Sequence, residues 1–212
     1  TVGVTRQIII NDDLQAFARL PQMFGAAGAR LENDIVWGIF TRNARLSDGK
    51  ALFHADHANL AAAGAEPSVA AIAAGMAALG TQTDLDGKTP INIQPAFIIT
   101  PLVLKVRVDQ ILGDRVYAAK PEDAPTEEIR GLKRIAEPRL DRADPSTWYI
   151  AGDPSQIDTI HYAYLEGEEG VSVEEEVGFD FDGVRWRIRH DFGAAAIAFR
   201  GLWKNPGAAP AP

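Results

Sequence analysis

The 212-residue chain contains no cysteine. That absence removes disulfide staples, thiolate metal sites and a cysteine nucleophile from consideration. No apolar run reaches the ~20 residues that a helix needs to span a bilayer. The opening ten residues lack a basic start and a small-residue cleavage site, so no signal peptide is expected there. The first residue is Thr1 rather than Met, and a processed or trimmed start is expected. Basic residues are also scarce relative to acidic ones, 21 against 29, for a net charge of −8. A tight nucleic-acid binder normally carries a basic excess or a basic stripe. There is no Walker loop, no GxGxxG after a strand and no Gly-x-Ser-x-Gly. Ser47, Ser68, Ser146, Ser155 and Ser172 stand in polar or turn contexts, where a serine nucleophile is not expected.

Hydrophobic residues make up 46% and charged residues 24%, the balance of an ordinary folded protein. A chain of this length buries roughly 70% of its unfolded surface, enough for one large domain or two lobes. β-Branched residues over 1–10 predict a strand or extended arm. Asn11, Asp12 and Asp13 then supply a helix start. Phe17, Leu20, Phe24, Ala27, Leu31, Ile35 and Ile39 recur every three or four residues, which describes one face of a long helix. Pro21 predicts a kink in it. Ser68 caps a second predicted helix with Val69, Ile72, Met76 and Leu79 on one face. Residues 97–99 predict a buried strand. Thr100 and Pro101 form a cap and first-turn pair for a third helix ending near Gly113; the alternation of Leu102, Leu104, Val106 and Val108 argues for a strand, but the cap and the set Leu104, Val108, Ile111 favour the helix. Strands are then predicted over 132–140, 148–151, 159–165, 173–181 and 184–192, with Asp182-Gly183 as a hairpin turn. A final strand over 194–203 and a mobile Pro/Ala tail over 206–212 complete the reading. Helices first and strands later indicate an α+β protein.

Four constellations invite a chemical reading. His54, Asp56 and His57 offer two imidazoles and a carboxylate. They are sequence neighbours in no standard ligand spacing, and no fourth ligand is identifiable. Polar loop contacts are the better reading. Asp84-Leu85-Asp86-Gly87 resembles the opening of a calcium loop, but the glycine is misplaced and no Glu follows at the twelfth position; it reads as a turn. Glu166, Glu168, Glu169 and Glu174, Glu175 and Glu176 form an acidic cluster. It fits a solvated loop or a partner for a neighbouring subunit's Arg better than a catalytic pair. Arg185, Arg187 and Arg189 alternate with Trp186 and Ile188, so the arginines share one strand face and the apolar pair the other. That is a solvated or interface face over a buried one, not a phosphate strip. No catalytic, cofactor-binding or metal residue is assigned, and neither cofactor nor enzymatic activity is expected.

Several strings occur together and in order: Thr5 through Leu14, Gly49 through Leu60, Glu137-Pro138-Arg139-Leu140-Asp141, Trp148-Tyr149, Ala163 through Gly167, Val184 through Gly193, and Gly201 through Asn205. This series resembles the Mu-like prophage major head subunit family. It is similar also to the capsid portion of fused prohead protease–major capsid proteins. The resemblance implies the Hong Kong 97 capsid fold, with a long spine helix, a peripheral β-structure and a mixed α/β axial domain. It implies residues 1–11 as a strand returning from an extended loop and 12–67 as a peripheral domain with the spine helix over 13–41. Residues 68–157 would be the axial domain, 158–193 the return strands of the peripheral domain, and 194–212 the C-terminal strand and mobile tail. The family's N-terminal arm and the outgoing half of its loop are expected to lie outside these residues.

The implied function is a structural major capsid subunit that assembles into pentamers and hexamers of an icosahedral shell enclosing DNA. The implied partners are copies of the chain itself and portal, scaffold or decoration proteins, with DNA enclosed without sequence-specific binding and no membrane. Such a subunit would be assembled in the bacterial host cytoplasm and reside in the virion. Two alternatives stand beside it: an encapsulin-like nanocompartment shell, and a metal-dependent hydrolase using His54, Asp56 and His57.

Overall fold

The computed structural model describes residues 2–7, 19–113, 124–178 and 182–208. They form an α+β protein of two compact units. One unit comprises Thr1–Val36 with Tyr162–Ala195, the other Trp37–His161 with Ala196–Pro212.

The first unit is built on a three-stranded antiparallel sheet. Its strands are β1 (Val2–Thr5), β6 (Ser172–Val177) and β7 (Gly183–Arg189), in the order β1-β7-β6. Val4 lies opposite Val184, and Val2 opposite Trp186. Val4 and Trp186 are buried, because alternation sends every second side chain to the covered face. Helix α1 (Leu20–Arg42) enters this unit with its first part and the other unit from Trp37 onward. The expected span began at 13, and residues 13–18 lie outside the described residues. Pro21 falls in the first turn of the described helix, where its missing N–H interrupts no hydrogen bond within it; the expected kink involves the residues before it, which lie outside the described residues. Gly28 is buried and faces Val171: a Cβ there would collide with Val171 Cγ2. The absent side chain is what lets helix and loop approach.

The second unit surrounds a four-stranded sheet. Its strands are β2 (Pro95–Thr100), β3 (Lys133–Ala136), β4 (Trp148–Gly152) and β9 (Leu202–Asn205), ordered β3-β2-β4-β9. β2 and β3 run parallel and the other neighbours antiparallel. Helix α2 (Val69–Gly80) begins as expected, with the Ser68 hydroxyl accepting from Ala71 N. It packs on the sheet through Ile72 and Leu79, which join Ile98, Val108, Ile129, Leu132, Trp148, Ile150 and Trp203 in one core. Gly75 meets Trp203 and Ile150 directly. The Trp148 indole donates to Ala65 O at 2.9 Å, which satisfies its single buried donor.

The third helix differs in its cap. Thr100 is the buried last residue of β2, not a cap. A 3-10 turn (Leu102–Leu104) leads into α3 (Lys105–Leu112), which stops at Gly113 as expected. The free donors at its start, Leu102 N and Val103 N, are met by the Asp141 carboxylate at 2.7 and 3.0 Å. A short helix, α4 (Glu127–Arg130), was not expected. The strand expected over 132–140 ends early. Glu137 caps at Arg139 N, and Pro138 opens helix α5 (Pro138–Ala143), because proline suits a first helical turn and not a ladder. β5 (Ile160–Tyr164) pairs with β8 (Phe192–Ala196). The single strand expected over 194–203 is thus two strands, β8 and β9, parted where Ile197 N and Ala198 N turn to Thr159 O. The expected Asp182-Gly183 turn borders residues 179–181, which lie outside the described residues. Pro206 O accepts from the Ser146 and Thr147 hydroxyls, and Gly207 is buried.

Candidate functional site

The loop after α1 holds the histidines through short-range polar contacts. Asn43, at φ 49°, clamps Phe53 from both sides: its Oδ1 accepts from Phe53 N at 2.8 Å, and its Nδ2 donates to Phe53 O at 3.1 Å. His54 Nδ1 accepts from Asp56 N at 3.1 Å. Asp56 pairs with Lys50 at 2.7 Å, and that hydrogen bond holds its carboxyl below the usual carboxylate range. His57 is buried and stacked on Phe199, with ring centroids 3.9 Å apart. Its Nε2 lies 2.7 Å from Asp48 Oδ2 and its Nδ1 3.2 Å from Leu52 O. The hydrogen bond to His57 lowers the Asp48 pKa. His54 and Asp56 therefore contact each other, with His54 Nδ1 also 3.7 Å from Asp56 Oδ2, while His57 turns to Asp48 and Leu52. Among the described residues, no group of three or more His, Asp or Glu is arranged to hold a metal ion. Asp48 was missed at the sequence level because it reads as one residue of the Ser47-Asp48-Gly49 turn.

β6 and β7 carry the charged strip. Arg185, Arg187 and Arg189 are exposed, Ile188 is half-buried and Trp186 is buried, as alternation required. The Glu174 carboxylate takes hydrogen bonds from both Arg187 and Arg189, which hold its pKa below the usual range, Arg189 most strongly. Glu174 stands opposite Arg187 in the ladder, and Glu176 opposite Arg185. These are cross-strand pairs of opposite charge. The arginines at 187 and 189 thus answer acid from their own chain. On the other face, Trp186 Nε1 donates to Glu175 at 3.3 Å.

Helix α1 meets the same unit through Glu32. His190 Nδ1 is 2.9 Å from Gly170 O, and its Nε2 is 3.0 Å from Glu32 Oε1. The second contact has ion-pair distance but falls outside hydrogen-bond geometry. Tyr164 is raised above its ordinary pKa by desolvation, then by its hydrogen bond to Glu32. In the second unit, a cleft of about 620 Å³ opens beside α2 and α4, lined by Met76, Ile93, Pro95, Ile129 and Glu128 among others. Glu128 is its titratable side chain among the described residues. A lone carboxylate supplies neither a nucleophile–base pair nor an acid–base pair.

No described helix is long and apolar enough to cross a membrane. Among the described residues these surfaces offer strand edges, paired charges and exposed apolar side chains. A family model described as phage capsid protein matches residues 1–205. No curated protein matches the chain. A solved structure from Mycobacterium phage Che8 is similar in fold, with a TM-score of 0.51 at 15% identity; the alignment covers 98% of this chain and 70% of that one. With the family model spanning nearly every residue, the chain belongs to the phage capsid protein family.

Proposed function

We infer that the chain is a major head subunit of a tailed phage or prophage-like particle. It has the Hong Kong 97 fold and is related to the Mu-like prophage head subunits. Copies assemble into pentamers and hexamers of an icosahedral shell that encloses DNA. The observation that carries this reading is the capsid-family match over residues 1–205. The charge distribution supports it. The first unit holds thirteen acidic and six basic side chains, and two of those bases are bound to Glu174. A container for DNA benefits from a wall that does not bind it tightly, because wall contacts would obstruct its movement.

In this reading residues 12–67 and 158–193 form the peripheral domain, with α1 as spine. Residues 68–157 form the axial domain that clusters around five-fold and six-fold axes. Residues 1–11 return from an extended loop, and 194–212 close the chain. The partners are further copies, together with portal, scaffold or decoration proteins. Assembly takes place in the host cytoplasm, and the product is the virion shell. Sedimentation velocity of the full-length protein tests this. Masses at five and six protomers, or closed particles, are expected. A single monomer peak at high micromolar concentration would refute it.

A further inference from the structure

We propose that β6 of one copy pairs edge to edge with β3 of a neighbouring copy, joining the sheet of one unit type to the sheet of the other. The inference rests on the shell reading and names one of its contacts. Among the described residues, β3 and β6 are outer strands of their sheets, so each has one backbone edge unpaired by the ladder. Such an edge is a template for another strand unless charge, a bulge or a covering segment blocks it. Here the charges are opposite. β6 reads Ser-Val-Glu-Glu-Glu-Val and contains no base, whereas β3 reads Lys-Arg-Ile-Ala and contains no acid. Each strand alone repels its own copy, which favours the mixed pair over the like pairs.

The side-chain alternation matches as well. On one face β6 presents Val173, Glu175 and Val177, all exposed; β3 presents Lys133 and Ile135, also exposed. With Lys133 set opposite Glu175, an antiparallel pair puts Ile135 against Val173 and Arg134 against Glu174. A parallel pair puts Ile135 against Val177 and Arg134 against Glu176. Either direction buries an apolar pair beside two pairs of opposite charge. Arg134 already contacts Asp109, and Glu174 contacts Arg187 and Arg189, so the new contacts extend existing networks. A contact between two different surfaces is heterologous and can be repeated around a ring. Backbone bonding along an edge supplies affinity, and the alternating side chains supply register.

The absence of cysteine permits a direct test. Ile135→Cys is combined with Val173→Cys, and separately with Val177→Cys, in the full-length protein. All three positions are exposed, so the fold is not at risk. Directly opposed residues on paired strands lie within disulfide reach. Under mild oxidation one of the two pairs is expected to give a ladder of covalent multimers on a non-reducing gel. Ile135→Cys with Leu85→Cys is expected to give none. In parallel, Lys133→Glu is expected to need about tenfold more protein for the same particle yield, since it faces like charges across the seam. Adding Glu175→Lys should restore the yield. If the unsubstituted protein forms particles and neither cysteine pair cross-links, the inference falls and the shell reading stands. If the unsubstituted protein forms no particles at all, the shell reading falls and takes the inference with it.

Discussion

Gly75→Ala separates packing from helix propensity in the second unit. In an open helical position, replacing glycine by alanine stabilises by about 1 kcal/mol. Gly75 is not open. A Cβ there would lie 2.6 Å from Trp203 Cε3 and 2.7 Å from Ile150 Cδ1, where carbon contacts normally settle at about 3.5–4 Å. Something must move by roughly 1 Å. Neither neighbour has slack: Trp203 is 4% exposed and Ile150 0%. Both are strand residues in register, Ile150 on β4 against Trp203 on β9. Overpacking of such a core costs about 1–3 kcal/mol, which outweighs the propensity gain. The net expectation is a loss of about 1–2 kcal/mol. Gly80 ends the same helix and a Cβ there meets nothing within 4 Å, so Gly80→Ala is the matched control and should be neutral or stabilising by about 0.5 kcal/mol. For a domain of this size each kcal/mol moves Tm by roughly 2–4 °C. Urea unfolding followed by tryptophan fluorescence reads both variants, since Trp148 and Trp203 sit in this core. If Gly75→Ala matched or exceeded Gly80→Ala in stability, the close approach of α2 to the β4–β9 pair would be wrong.

Asp141→Ala removes the carboxylate that caps Leu102 N and Val103 N. It is expected to cost about 1 kcal/mol, read as a lower urea midpoint with an unchanged m-value. Asp86 accepts from Lys88 N, Thr89 N and the Thr89 hydroxyl, foremost the last, and its pKa falls from 3.8 to about 2. A carboxylate depressed in the folded state adds stability that is fully present above the unfolded pKa and is lost as pH falls through the folded one. Asp86→Asn should therefore flatten the acid limb of the stability profile between about pH 4 and pH 2. Carboxyl NMR of the folded protein should show Asp86 still ionised at pH 3, and a titration at the ordinary aspartate value would contradict the loop geometry.

Local rules carried the sequence reading furthest where both partners were close in the chain. The Ser68 cap and the Val69, Ile72, Met76, Leu79 spacing described α2 because a helix of this kind is specified within one turn of itself. The Arg185–Arg189 alternation described β7 for the same reason. The misreadings share a cause in distance. Thr100-Pro101 looked like a cap, but the donors of the third helix are met by Asp141, about forty positions downstream. The 132–140 run alternates well enough to pass for one strand, yet Pro138 begins a helix there. Glu174 reads in sequence as a solvated side chain or a partner for a neighbour's arginine, and finds two arginines on the paired strand β7. Asp48 carried no periodic signal, so its pairing with His57 emerged only in three dimensions. The His54, Asp56 and His57 group was legible as a loop feature because its spacing already failed as a ligand set.

The central claim is that this chain builds a shell. Electron cryomicroscopy of the full-length protein purified under assembling conditions tests it most directly. Closed particles are expected, with a reconstruction that resolves rings of five and six subunits, each density accommodating the β3-β2-β4-β9 sheet and the β1-β7-β6 sheet. Homogeneous monomers at every concentration, with both units folded, would contradict it.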